Sequence, residues 1–404
     1  MKWEPLIIDR EAAEILRKIS EIADQLKEDI LKIENIGLFS GKTGICLFFF
    51  YYAKLVNRAE YSDLAYDIFG NVFDEITGRD INCTLANGLS GIGWAVEHLV
   101  RHHFIQADVD EILRDVDSIL HEAMLKYIKE GNYDALHGAL SQGLYFLERK
   151  SNPGAGDILL ELVMELDRIS IKDGCHSVKW RSVLEPGKGT TGYNPSLSHG
   201  IAGIIYILSR LKPQGDSRFV VSRLLSGAVR YLTQITQDPG TSLSYFPTWI
   251  CDGVPLKNSR LAWCYGDLGI GAAIFRAGKS TGNVEWEEMA LDILLHTTRR
   301  RDLIENFVAD AGICHGTAGI AHIYNRLYRE TCIDAFKEAA RFWFGETMKM
   351  AVFDDGYGGF KAFSRRNIWR NSPGILEGAA GIGLVLISAI SAIEPYWDRC
   401  LLLS

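Results

Sequence analysis

The sequence holds no apolar run long enough to cross a membrane. Its longest strongly apolar stretch, ICLFFFYYA at residues 45–53, has nine residues, against about twenty for a spanning helix. Basic clusters are missing too. With 43 Lys and Arg against 51 Asp and Glu, the net charge is −8, which speaks against a phosphate backbone as partner and so against nucleic acid. The first residues, MKWEPLIIDREAAEILRK, carry acidic side chains and no apolar core, unlike a secretory signal. Eight cysteines are scattered along 404 residues with no C-x-x-C pair. They read as free thiols or metal ligands rather than a disulfide framework. Strand-like alternation is scarce. These absences point to a cytoplasmic helical protein that neither spans a membrane nor binds nucleic acid.

What is present is a repeat. The element G-x-x-G-I, followed by apolar residues, starts at Gly41, Gly88, Gly200, Gly266, Gly316 and Gly378. A seventh, degenerate version starts at Gly138, with Ser141 in place of the second glycine. The starts lie 47 to 66 residues apart. Each element opens a stretch that is apolar nearly all round, as a buried helix is. Between them lie amphipathic stretches such as EAAEILRKISEIADQLKEDILKI, with apolar residues three and four apart, the period of a helix with one buried face. Seven helical hairpins form either an open solenoid or a closed ring. A solenoid needs polar caps at its ends, and the last repeat, ILEGAAGIGLVLISAI, is as apolar as the middle ones. The expectation is an all-α fold: a seven-fold (α/α) toroid of inner and outer helices, one domain over residues 1–404. The glycines would let inner helix starts crowd together. Four long connections rich in Gly, Pro and aromatics precede inner helices and would gather on one face, where sites are usually built. GLFSGKT at residues 37–43 imitates a phosphate loop, but it is one residue short and no strand precedes it, so it is set aside.

Chemistry concentrates just before the glycines. Asn87, His137, His199, Tyr265, His315 and Glu377 stand one residue ahead, and Cys264 and Cys314 two ahead. In a ring these ends converge on the central opening. Cys264, Cys314 and His315 make a Cys₂His set, the ligand types zinc favours, with one of four positions left open. Two buried cysteines and a capping histidine would also explain them. His199 is suited to acid–base work by its near-neutral pKa, or it merely bonds a helix end. Asp134 reads as a helix cap or a charged partner. Arg260 reads as a surface cation or a site residue, and Tyr265 as packing or a site hydroxyl.

The stretches RLAWCYG at residues 260–266, CHGTAG at 314–319 and NPSLSHG at 194–200, within seven glycine motifs, resemble the lanthionine synthetase C-like cyclases over essentially the whole chain. The resemblance implies an α/α toroid with one zinc ion. Its substrate would be a ribosomal precursor peptide whose serines and threonines are already dehydrated. Cysteine thiols of that peptide would add across dehydroalanine or dehydrobutyrine to give thioether rings. It implies Cys264, Cys314 and His315 as zinc ligands and His199 as acid/base, with Asp134, Arg260 and Tyr265 around it. Trp263 and Tyr265 would wall the pocket. A dehydratase and a transporter are further implied partners. Other readings are thiol addition from glutathione, a different α/α-toroid enzyme, and a peptide-binding module whose zinc is structural. The Ser141 departure leaves the third helix start open.

Overall fold

The computed structural model describes residues 2–174, 176–185, 187–256, 258–364 and 368–404. Cys175, Pro186, Lys257 and residues 365–367, all within the long connections, lie outside the described residues.

Seven helices carry the glycine motifs and line the inside: α2 (Lys42–Val56), α4 (Leu89–Arg101), α6 (Ala139–Glu148), α8 (Ile201–Arg210), α10 (Asp267–Thr281), α12 (Thr317–Thr331) and α14 (Ala379–Ile390). Seven form the outside: α1 (Asp9–Asp29), α3 (Ala59–Ile76), α5 (Val109–Lys129), α7 (Ala155–Ile169), α9 (Ser217–Gln234), α11 (Val284–Thr297) and α13 (Asp334–Lys349). The division follows from side-chain pattern. In α1 the buried residues Ile15, Ile19, Ile22 and Leu26 recur every three or four positions, giving one apolar stripe and one wet face. In α2 every residue from Thr43 to Ala53 is buried. Each inner helix packs on the next, and α14 packs on α2, so the array closes.

The closure is drawn in hydrogen bonds. Two residues before each motif glycine, the chain bonds to the same place in the next repeat. Phe39 N–H donates to Ala86 O (2.8 Å), Ala86 to Leu136 (3.2 Å), Ala135 to Ser198 (3.2 Å) and Ser198 to Cys264 (3.4 Å). Cys264 then donates to Cys314 (3.2 Å), Cys314 to Leu376 (2.8 Å) and Leu376 back to Phe39 (3.1 Å). Only the third repeat steps aside by one residue, because Asp134 Oδ1 already holds the Leu136 N–H at 2.7 Å.

The second glycine of a motif makes room both for its own loop and, as expected above, for the adjacent repeat: a Cβ on Gly44, Gly91, Gly269 or Gly381 would lie 2.8–3.1 Å from Ile375, Leu38, Leu197 or Ile313. A Cβ on Gly44, Gly91, Gly269, Gly319 or Gly381 would sit 1.8–2.2 Å from the carbonyl oxygen six residues earlier. Ser141 meets the equivalent carbonyl, that of Ala135, by donating its hydroxyl to it at 3.2 Å. The third helix therefore starts like the others.

Short strands add to the helices. Antiparallel hairpins β1–β2 (Ile171–Lys172, Val178–Lys179) and β3–β4 (Ser182–Glu185, Thr190–Gly192) precede α8. Hairpin β5–β6 (Trp249–Cys251, Val254–Leu256) precedes α10, and β7–β8 (Ala362–Phe363, Trp369–Arg370) precedes α14. All arise in the long connections and rim the face where inner helices begin.

The middle is filled. A 3₁₀ turn at Tyr396–Leu401 and the residues after it lie inside the ring, with Trp397, Asp398, Cys400, Leu401 and Leu402 at most 1% exposed. Asp398 bonds His322 Nε2 at 2.7 Å and Arg326 on α12. Arg399 pairs with Glu148 of α6 at 3.0 Å, and Ser404 O accepts from Tyr206 of α8 at 2.7 Å. The inner helices thus close around a plug, not an open channel.

Candidate metal centre and its neighbours

Five of the seven loops share a register that reaches six residues ahead of the motif glycine. Asn35, Asn82, Asn132, Asn194 and Asp310 occupy that sixth place. Each side chain accepts the backbone N–H two residues on, at 2.8–3.3 Å, the Asx turn these residues favour. The loops are therefore held alike, and a side chain at a given place in one repeat has counterparts in its neighbours.

Cys264 and Cys314 occupy the hydrogen-bonding place of the fifth and sixth repeats, joined by the ring bond itself. His315 follows directly. One ligand atom from each of Cys264, Cys314 and His315 lies within 4.8 Å of the others. A tetrahedral zinc, with bonds of about 2.3 Å to sulfur and 2.0 Å to nitrogen, sets its ligands roughly 3.5–3.8 Å apart. The donor set fits. Cys264 is 3% exposed, and Cys314 and His315 are half-buried. The Cys314 thiol and His315 both hydrogen-bond the Cys264 sulfur and, against burial, hold its pKa well below the usual thiol value. The same contact, with burial, pushes Cys314 up. Burial would lower His315, but its bond to Cys264 and the charge of that sulfur raise it.

Behind His315 stands Asp310. It accepts the Gly312 N–H at 3.0 Å and the Phe363 N–H at 2.8 Å, tying the sixth loop to β7. The sequence reading passed over it, although the Asn register would have found it.

Arg260 takes the sixth-place position in the fifth repeat, where four repeats have a capping Asn, the sixth has Asp310 and the seventh Ser372. Its guanidinium is half-buried and has no hydrogen-bond or ion-pair partner among the described residues. Its charge nonetheless reaches Cys264, Cys314 and His315. Such departures from a local rule mark functional places. The loop ends on Gly266 at φ 93°, a left-handed conformation that favours glycine; a Cβ there would also meet Arg260 O at 2.0 Å.

On the other side of Cys264, the Ser198 N–H and hydroxyl both donate to Cys264 O. This fixes the neighbouring His199. Its Nδ1 lies 2.6 Å from Asp134 Oδ2. Asp134 caps its own loop rather than a helix, accepting Leu136 N–H at 2.7 Å and His137 N–H at 2.9 Å on Oδ1. Burial favours its neutral form, but His199's charge and hydrogen bond outweigh burial and leave its pKa below the usual carboxylate value. Tyr265 sits with its ring 5.6 Å from that of His199, its hydroxyl accepting from Asn194 Nδ2 at 3.4 Å. His137 lies parallel to His199 at 6.4 Å.

All seven expected site residues thus lie in loops of adjacent repeats, three to six. Trp263 does not join them. It is fully buried and turned inward, its Nε1 donating to Leu401 O at 2.7 Å. It anchors the plug instead of walling the pocket. Glu377 pairs with Arg370 on β8. Lys42 of the phosphate-loop lookalike pairs with Glu75.

Comparison with known proteins agrees with this fold. The chain is 23% identical over 345 residues to the nisin biosynthesis protein NisC of Lactococcus lactis subsp. lactis, spanning 79% of this chain and 77% of that one. The solved structure of nisin cyclase superposes with a TM-score of 0.74 at 18% identity, covering 96% of this chain and 98% of that one, which shows a common fold. The family model described as Lanthionine synthetase C-like protein matches residues 32–402, and the chain belongs to that family.

Proposed function

We propose that this chain, as one seven-repeat domain, is a zinc-dependent lanthipeptide cyclase acting in the cytoplasm. It adds cysteine thiols of a precursor peptide to dehydroalanine or dehydrobutyrine residues of the same peptide. The observation that carries the reading is the Cys₂His cluster on the same loop ring as the His199–Asp134 pair and Arg260, whose guanidinium has no partner among the described residues. Zinc held by Cys264, Cys314 and His315 would supply a thiolate nucleophile near neutral pH by lowering the pKa of a thiol entering its fourth position.

The remaining work falls to the chain's own groups. Addition makes one S–Cβ bond, reduces the Cα=Cβ double bond to a single bond and leaves a proton on Cα. No electrons are gained or lost. As sulfur attacks, negative charge gathers on the carbonyl oxygen of the dehydrated residue. Arg260, without a partner among the described residues, is a cation placed to meet it. His199 carries the proton. Asp134 holds Nδ1 and, being anionic, stabilises the imidazolium, so Nε2 delivers the proton to Cα. Tyr265 offers a hydroxyl beside the same ring. A dehydratase would prepare the peptide, and a transporter would remove the product.

The test uses a dehydrated peptide containing cysteine. Ring closure leaves its mass unchanged, so the readout is loss of alkylatable thiol. Consumption of thiol above the uncatalysed rate is expected. A metal-loaded protein that binds the peptide but consumes no thiol overturns the reading in favour of a binding module. A mass gain of one glutathione would redirect it to intermolecular addition.

A further inference from the structure

A second set of metal-type ligands lies at the opposite end of the inner helices. His98 and His102 fall at the end of α4, spaced i and i+4 so that they share a face. Glu148 ends α6 beside them. One ligand atom from each of the three lies within 4.8 Å of the others. The 13 residues of α4, at about 1.5 Å each, put this cluster roughly 20 Å from the loop ring. It is separate from Cys264, Cys314 and His315.

Two ring nitrogens there are orphans. His98 is fully buried, and its Nδ1 has no hydrogen-bond partner among the described residues. His102 Nε2 is buried and equally unpartnered. Buried polar atoms are rarely left so, and two in one cluster call for a shared ligand. The surroundings prepare His98 for one. Its Nε2 lies 3.2 Å from Tyr51 Oη. With the proton on Nε2 and directed at that oxygen, Nδ1 presents its lone pair, which is how outer partners orient ligating histidines. His102 is held flat against the Tyr396 ring at 4.3 Å.

The charges decide which ligand. Glu148 is paired with Arg101 through Oε1 and with Arg399 through Oε2 at 3.0 Å. Arg101 also lies 3.8 Å from Glu97. Arg101 and Arg399 thus face Glu148, while Glu97 is held more closely by Arg149, at 2.9 Å. Carboxylate oxygens keep lone pairs beyond one hydrogen bond each, so Glu148 remains a ligand. No surplus of negative charge exists to attract a hard cation such as Ca²⁺ or Mg²⁺, which wants oxygen ligands. Two imidazoles and one carboxylate suit a borderline transition cation.

We propose that His98, His102 and Glu148 form a second metal site, for a dication of the zinc and cobalt class, that ties α4 and α6 to the C-terminal plug through Arg399 and Tyr396.

Cobalt distinguishes the two sites. Bound to thiolates it gives intense near-ultraviolet charge-transfer absorption; bound to nitrogen and oxygen it gives only weak visible bands. The wild-type chain is expected to take up two equivalents of Co²⁺, only one with the charge-transfer band. The Cys264→Ala/Cys314→Ala variant should keep one equivalent without that band. Adding His102→Asn, at a half-exposed position, or Glu148→Gln should weaken that equivalent at least tenfold while helical circular dichroism is retained. Zn²⁺ should displace it, and millimolar Ca²⁺ or Mg²⁺ should not. Uptake of a single equivalent by the wild-type chain, or a second equivalent indifferent to both His102→Asn and Glu148→Gln, would overturn the proposal and leave water as the ligand of the orphan nitrogens. Neither result depends on whether the chain cyclises peptides.

Discussion

Cys264 and Cys314 are joined twice, by their sulfurs and by the Cys264 N–H···O=C Cys314 bond. Alanine at 264 removes only the first link, so the ring survives. Cys264→Ala should fold with a cooperative melt and lose the thiolate-bound metal; a retained cobalt charge-transfer band would reassign the ligands. His199→Ala should keep that band and lose cyclisation by about 10²–10⁴-fold, the usual value of positioned proton transfer. A variant cyclising at the wild-type rate would remove His199 from the chemistry. These residues were legible because unusual side-chain types recur at one place in a repeat. What the reading could not supply was direction. Trp263 stands next to Cys264 in the chain yet points into the plug, and only three dimensions separate the two. Arg260 stands out in the sequence, but its meaning comes from holding the place where four repeats carry a capping asparagine and one an aspartate.

Gly319 of an inner-helix motif and Gly345 of an outer helix are opposites in consequence. On Gly319 a Cβ would meet the Ile313 carbonyl oxygen, a backbone atom, at 1.9 Å. Gly319→Ala should therefore destabilise by about 1–3 kcal/mol, the scale of overpacking. Gly345, exposed on α13, has nothing within 4 Å of its would-be Cβ. Gly345→Ala should stabilise by about 0.5–1 kcal/mol, since alanine is the better helix former. Urea midpoints of the two variants should move in opposite directions; shifts of the same sign would mean the loops adapt freely. Inner and outer helices could be told apart in sequence because burial writes itself as period and composition. The four hairpins could not, because strands of two to four residues are too short to show alternation. The plug was equally hidden, since a short apolar run that fills a ring looks like any helix end.

At the scale of the whole molecule, the plug makes stability depend on pH. His322 is fully buried between Asp398 Oδ2 and Ser388 Oγ. Burial, despite the pull of Asp398, lowers its pKa. The folded chain thus takes up this proton at lower pH than the unfolded chain does, near 6.5, and acidification below that value favours unfolding. Asp398 acts in the same direction, at lower pH. Burial would raise its pKa, but Arg326 and His322 hold the carboxyl far below its usual value. Its contribution stays intact through this window and is lost only on acidification below about pH 4. The denaturant midpoint should fall between about pH 6.5 and 5, and His322→Gln should flatten that fall. Cys264→Ala treated with chelator is the proper background, because metal loss then adds nothing. An unchanged slope in His322→Gln would place the titrating group elsewhere. Closure of the ring was legible as the absence of polar end repeats, and it carries a consequence for the order of folding. Six of its rungs join neighbouring repeats and can form as each pair leaves the ribosome, the Cys264–Cys314 rung among them. The seventh joins Leu376 to Phe39 and waits for nearly the whole chain. Until then the growing protein is an open arc with the flanks of its first and latest inner helices bare, and contacts so distant in sequence are the slow ones to make. Metal capture can precede that last step, so the centre can be assembled on an arc before there is a ring to hold it.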